Sequence, residues 1–206
     1  MKAGMRFVWD WKGLRIIMGM SMIINLVISP GFSLLPIVVT EHFKGGAIEL
    51  ASLQSAGGVG MILGGLLLGV WGGFKNRVAT AFSALIVGGI FIVLFGFVPG
   101  SMLLLAVAAF FLFSTTNSMA NGTFFAAMQA AIPPEMQGRV FTLLMSFSAA
   151  MAPLGLAIAG PVADLIGVRT WFVIGGATLT LMGVLGFFIP AIMNLERDAP
   201  TAAPEE

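Results

Sequence analysis

Apolar residues fall into six blocks along this chain, and charged residues occur only between and around them. Residues 16–40, 50–74, 78–98, 101–132, 140–163 and 170–194 contain no Lys, Arg, Asp, Glu or His, and the shortest block has 21 residues. At ~1.5 Å rise per residue each block crosses a hydrocarbon core of ~30 Å as a helix. Lipid cannot satisfy backbone polar groups, so uninterrupted runs of this length predict helices rather than open strands. The expected fold is an all-α membrane protein whose six transmembrane helices span residues 16–194. Residues 1–15 precede them and a Pro-, Ala- and Glu-rich tail, 195–206, follows and is expected to be disordered.

The polar positions inside the blocks are unevenly spread. In the fourth, Ser114, Ser118, Asn121, Phe125 and Gln129 recur at i, i+4, i+7, i+11 and i+15, one helical stripe, with Asn117 one turn before Asn121. Unpaired amides in lipid cost several kcal/mol each (roughly 4–8 on a hydrocarbon scale), so this face is expected to look into protein or water. Phe124, Phe125 and Met128 add the adaptable apolar wall of a site for bulky amphipathic ligands. The second block carries Gly60-x-x-x-Gly64 and Gly65-x-x-x-Gly69, spacing that lets helix backbones approach closely. Its Gln54 either lines a cavity or bonds across helices. Pro30 and Gly31 in the first block, and Pro153 and Gly160 in the fifth, mark kinks or hinges, because proline removes a backbone donor. The third and sixth blocks hold little beyond Thr80, Ser83, Thr178 and Thr180, whose hydroxyls can bond back to their own helices, and they read as lipid-facing supports.

Composition and charge narrow the picture. Hydrophobic residues make up 58% of the chain and charged ones 9%, against ~25% charged in a soluble domain. Alternating the spans puts eight of the ten basic residues, including Lys75, Arg77 and Arg139, on the side of the termini, and only Lys44 and Arg169 opposite. This bias predicts a multi-pass protein of the cell membrane with both termini cytoplasmic. The basic, Trp-bearing segment 1–15 reads as an interfacial helix or cytoplasmic linker rather than a signal peptide. His42 is expected to be a solvated loop residue. Arg139 either bridges toward Glu135 and the helix ends or anchors at headgroups, and Asp164 is expected to pair with Arg169. With no cysteine, one loop histidine and no acid inside a span, the chain offers no thiolate, triad, aspartyl dyad or metal-ligand set. An enzyme, a metal or cofactor site and a nucleic-acid partner are accordingly not expected. No side chain within a span can titrate.

The two triplets of spans echo each other in opposite orientation. Gly69-Val-Trp-Gly-Gly73-Phe-Lys75-Asn-Arg77 follows the second block, and Gly160-Pro-Val-Ala-Asp164-Leu-Ile-Gly167-Val-Arg169 follows the fifth. Such an echo is what a 3+3 inverted repeat leaves. These elements, with Leu34-Leu-Pro36-Ile-Val-Val-Thr40, Gly64-Gly-Leu-Leu-Leu-Gly69 and the loop Ile132-Pro-Pro-Glu135-Met-Gln-Gly138-Arg139, resemble the C-terminal six-helix half of a major facilitator superfamily transporter of the macrolide-efflux type. The resemblance covers roughly residues 1–195. It implies half of a twelve-helix fold, and a cavity lined by the first and fourth helices, which makes Asn25 a cavity candidate or a packing contact. It also implies export of small hydrophobic or amphipathic substrates by alternating access, and a second six-helix half that is covalent, separately encoded or homodimeric. The segment 1–15 then resembles the end of a linker between halves. A truncated or split half that is inactive alone, or a non-transporting membrane partner, is the alternative. In the family's loop motif Gly73 stands where an acid belongs, so a charge relay there is not carried over.

Overall fold

The computed structural model describes residues 2–195, and all regular structure among them is helical. A short helix, α1 (Lys2–Asp10), precedes α2 (Lys12–Ile37), which runs on through a π-helical turn, Val38–His42. Then come α3 (Ala47–Trp71), α4 (Arg77–Phe97), α5 (Leu103–Ala131), α6 (Pro134–Ile166), α7 (Val168–Phe188) and a single turn, α8 (Pro190–Met193). The helices α2 to α7 are the six expected spans, each long and apolar enough to cross a membrane. Their ends shift by a few residues because helix starts at Lys12, Arg77 and Pro134 lie outside the charge-free blocks. Block 170–194 is interrupted: α7 stops at Phe188, and Pro190 opens the separate turn.

The helices form an open arc in the order α3, α5, α4, α7, α2, α6. Exchanging the first triplet of spans for the second maps this order onto itself: α3 on α5 corresponds to α6 on α2, α5 on α4 to α2 on α7, and α4 on α7 to itself. That self-correspondence is the 3+3 inverted repeat in contacts. The axis pair meets through glycines: a Cβ on Gly89 would lie 2.6 Å from the Gly176 carbonyl oxygen, and one on Gly176 2.5 Å from the Gly89 carbonyl oxygen. Removing side chains lets two backbones touch, which is how membrane helices gain dispersion contact without a hydrophobic driving force.

The third and sixth spans are therefore not merely peripheral. The window of α4 that crosses the membrane is the most enclosed of the six, half buried, while Leu94, Phe97, Leu181 and Phe188 keep an apolar outer face. The segment before the first span packs onto the bundle: Val8, Trp11 and Leu14 are buried with Leu143, Leu144 and Ile192 in the core at the termini end. Leu195, the first residue of the expected tail, is buried in that core; the rest of that tail lies outside the described residues.

Candidate substrate cavity

A cavity of about 340 Å³ lies in the half of the bundle nearer the termini, between α2, α4, α5 and α6. Asn25, Asn117, Asn121 and Phe125 line it, as does Ser21 from α2 and Ser148 from α6. Met20, Phe82, Phe124 and Met145 supply apolar wall, and no ionisable side chain is among the lining residues. Toward the opposite end α2 and α5 converge, where the Phe32 ring sits 6.2 Å from Phe110 and 6.4 Å from Phe113.

The amides present a defined set of polar atoms. Asn121 Nδ2 donates to the Asn117 backbone oxygen at 2.9 Å and to Asn117 Oδ1 at 3.0 Å. Asn25 Nδ2 donates to the Ser21 carbonyl at 3.0 Å. Donors of Asn25 and Asn121 are thus engaged locally. The Asn117 amide N–H groups and the Asn25 and Asn121 oxygens make no further bond among the described residues. The cavity therefore offers acceptors from two helices, a donor between them and two serine hydroxyls, in apolar surroundings that strengthen each contact.

Two candidates lie elsewhere. Ser118 does not line this cavity; its Oγ donates to the Met61 carbonyl of α3 at 2.9 Å. Gln54 lines a neighbouring cleft beside Gly57, Gly58 and Ser114, and only Asn117 belongs to both spaces. The polar stripe of α5 is divided because α3 crosses its upper part, where Gly57, Gly60 and Gly64 lie against Phe110, Phe111, Ser114 and Thr115. Below that crossing the stripe turns into the cavity. A Cβ on Gly69, expected to share this packing, would meet nothing within 4 Å, and the same holds for Gly58 and Gly65.

The prolines leave the helices unbroken. Pro30 and Gly31 are buried within a continuous α2. The missing Pro30 N–H frees the Leu26 carbonyl, and Gly155 of α6 lies flush against it. One residue on, Trp171 Nε1 donates to the Val27 carbonyl at 2.8 Å, so α6 and α7 staple α2 where proline weakens it. In α6, Gly155 makes this close approach while Pro153 is exposed and Gly160 meets nothing.

The loops are fastened by residues the sequence reading passed over. Asn76 caps α4, its Oδ1 accepting from Ala79 N at 3.2 Å, and its Nδ2 donates to the Met193 carbonyl at 3.1 Å. Gly72 and Gly73 have φ of 73° and 78°, a left-handed conformation that strains an aspartate; this explains glycine where the motif has an acid. Lys75 is exposed beside them, and Arg77 opens α4. At the Pro-Pro-Glu loop, Gln137 Nε2 donates to the Gln129 and Ile132 carbonyls at 2.9 and 3.0 Å. Arg139 forms no ion pair with Glu135 among the described residues; Gly4 of α1 packs on its stem, and Gly138 has open space. Asp164 does not pair with Arg169, whose Nε donates to the Gly96 carbonyl at 3.0 Å. His42 is half-buried rather than solvated, with its Nε2–H donating to the Val98 carbonyl at 2.8 Å. An asparagine before an apolar run was the readable signal for Asn76; Gln137 had none.

Residues 1–204 match the family model described as transmembrane secretion effector. Macrolide efflux protein A of Streptococcus pyogenes is 28% identical over 196 residues, covering 95% of this chain and 48% of that protein. Multidrug efflux pump Tap of Mycolicibacterium fortuitum is 30% identical over 196 residues, covering 94% and 46% respectively. Tap of Mycobacterium tuberculosis is 26% identical over 196 residues, covering 94% and 45%. The chain thus spans about half the length of the curated relatives it matches. No solved structure gives a significant match.

Proposed function

This chain belongs to the transmembrane secretion effector family of major facilitator transporters, and on that footing we propose that it forms one half of an alternating-access exporter of small hydrophobic or amphipathic compounds. The observation that carries this reading is the cavity between the first and fourth spans, uncharged and lined by three asparagines, phenylalanine and methionine. Amides and hydroxyls hold a ligand's polar groups without demanding a fixed charge, while Phe and Met adapt to varied shapes, so specificity is broad. Substrates of the kind recorded in its relatives' names, macrolides and other drugs, fit that chemistry. Asn25, Asn117 and Asn121 are the polar contacts, and Gln54 reaches substrate only where the neighbouring cleft joins at Asn117.

The partner is a second six-helix half. Supporting it, α3 and α6 end the open arc, and a Cβ on Gly58, Gly65 or Gly69 of α3, or on Gly160 of α6, would meet no atom within 4 Å among the described residues. Rocking of the two halves exposes this cavity to either side of the membrane in turn. The lining residues of this half cannot titrate, so the coupling group of a proton-driven cycle belongs to the other half. The charge bias supports cytoplasmic termini for this half. The test is accumulation of lipophilic dyes and macrolides in cells with and without this chain. Lower accumulation with it, restored by Asn121→Leu, is expected; unchanged accumulation for every compound tried would sink the reading.

A further inference from the structure

A second cavity, of about 500 Å³, lies at the end of the bundle opposite the termini, between the end of α2, the end of α4 and the start of α7. Glu41, His42 and Arg169 line it together with Phe97, Ile166 and Val173. Arg169 is held by its Nε bond to the Gly96 carbonyl, which leaves its two Nη groups without a partner among the described residues. His42 is fixed in the wall by its own bond to the Val98 carbonyl. Glu41 and Arg169 share the cavity without forming an ion pair. A cation and an anion that line one cavity without pairing match a ligand that carries both charges, separated by a short linker.

The walls indicate where that ligand comes from. Phe97 and Ile166 are 63% and 57% exposed, on the last turns of α4 and α6, and Leu94 and Ile174 extend the apolar surface along the outer helix faces. Helix ends of a membrane bundle stand at the level of lipid headgroups. A guanidinium there recognises phosphate through parallel N–H bonds, and a carboxylate recognises an ammonium. We propose that this cavity binds the headgroup of an amine-bearing zwitterionic phospholipid of the phosphatidylethanolamine type. The Arg169 Nη groups hold the phosphate, Glu41 holds the ammonium, and the acyl chains descend over Phe97 and Ile166. The site is separate from the central cavity and does not depend on what that cavity carries.

Native mass spectrometry tests this on the full chain reconstituted in vesicles of equal parts phosphatidylethanolamine and phosphatidylglycerol, then released into detergent. The chain is expected to retain phosphatidylethanolamine in preference to phosphatidylglycerol. Arg169→Gln keeps an N–H donor for the Gly96 carbonyl but lacks the charge, and retention should fall about tenfold. Glu41→Gln should remove the preference between the two lipids, because phosphate binding survives and the ammonium partner is lost. Should Arg169→Gln fail to fold, by its melting curve in the same detergent, Glu41→Gln decides alone, since the Glu41 side chain makes no hydrogen bond or ion pair among the described residues. An unchanged lipid ratio in Glu41→Gln overturns the proposal.

Discussion

Gly89 and Gly176 tolerate no added atom, since each lies where a Cβ would enter the facing backbone, whereas Gly65 has nothing near it. Gly89→Ala should destabilise the bundle by about 1–3 kcal/mol through forced separation of α4 and α7. Gly65→Ala in the isolated chain should stabilise it by roughly 0.5–1 kcal/mol, because alanine loses less backbone freedom in a helix. Thermal melts in detergent compare the two, and equal melts would contradict the packing described. A second contrast separates ligand contact from packing. Asn25→Leu removes a cavity acceptor and should depress dye export by about tenfold, while Ser118→Ala breaks only the bond to Met61 and should cost about 0.6 kcal/mol of stability with export retained. Asn117 and Asn121 were legible as one amide pair because four-residue spacing stacks them on a helix face. Ser118 was not, because spacing along α5 does not say where α3 crosses it.

Each element carries its break in a particular way. Pro30 in α2 and Pro153 in α6 suggest kinks or hinges from sequence, yet both helices run on through them, and at Pro30 a neighbouring helix covers the freed carbonyl. Gly155 lies flush against the freed Leu26 carbonyl, and the Trp171 bond to the next carbonyl, Val27, braces the same turn. Trp171→Phe should therefore raise amide hydrogen exchange in residues 26–31 while leaving α4 unchanged, measured by exchange mass spectrometry. Uniform protection in the variant would show that the staple carries no weight. The six spans were legible because the length of a lipid-crossing helix is set by bilayer thickness, a constraint written in hydrophobicity alone. The docking of α1 was less so. Its Val8 and Trp11 are also what an interfacial helix presents to lipid, and only the bundle decides that protein takes them.

At the scale of the whole molecule, two triplets of helices pack by one rule, and α4 against α7 marks their axis. The charge bias predicts which end faces the cytoplasm, and the absence of cysteine makes that directly measurable. A membrane-impermeant maleimide should label Lys44→Cys in intact cells and Lys75→Cys only after lysis, the reverse pattern overturning the orientation. By itself the sequence determined that six apolar blocks are long enough to cross the membrane as helices, that no ionisable side chain lies within those blocks, and that the polar weight falls on the first and fourth. These follow from the cost of placing charge and unpaired amides in hydrocarbon, which acts on each residue wherever it later packs. The tertiary structure alone decided that Asn25 and Asn121 share a cavity and Gln54 lies in its neighbour. It also decided that Arg169 turns to Gly96 instead of Asp164, and that Asn76 and Gln137 fasten the loops. Those outcomes depend on where helices cross and which backbone carbonyls they bring within reach, and no pattern along one chain records a distance between two of its helices.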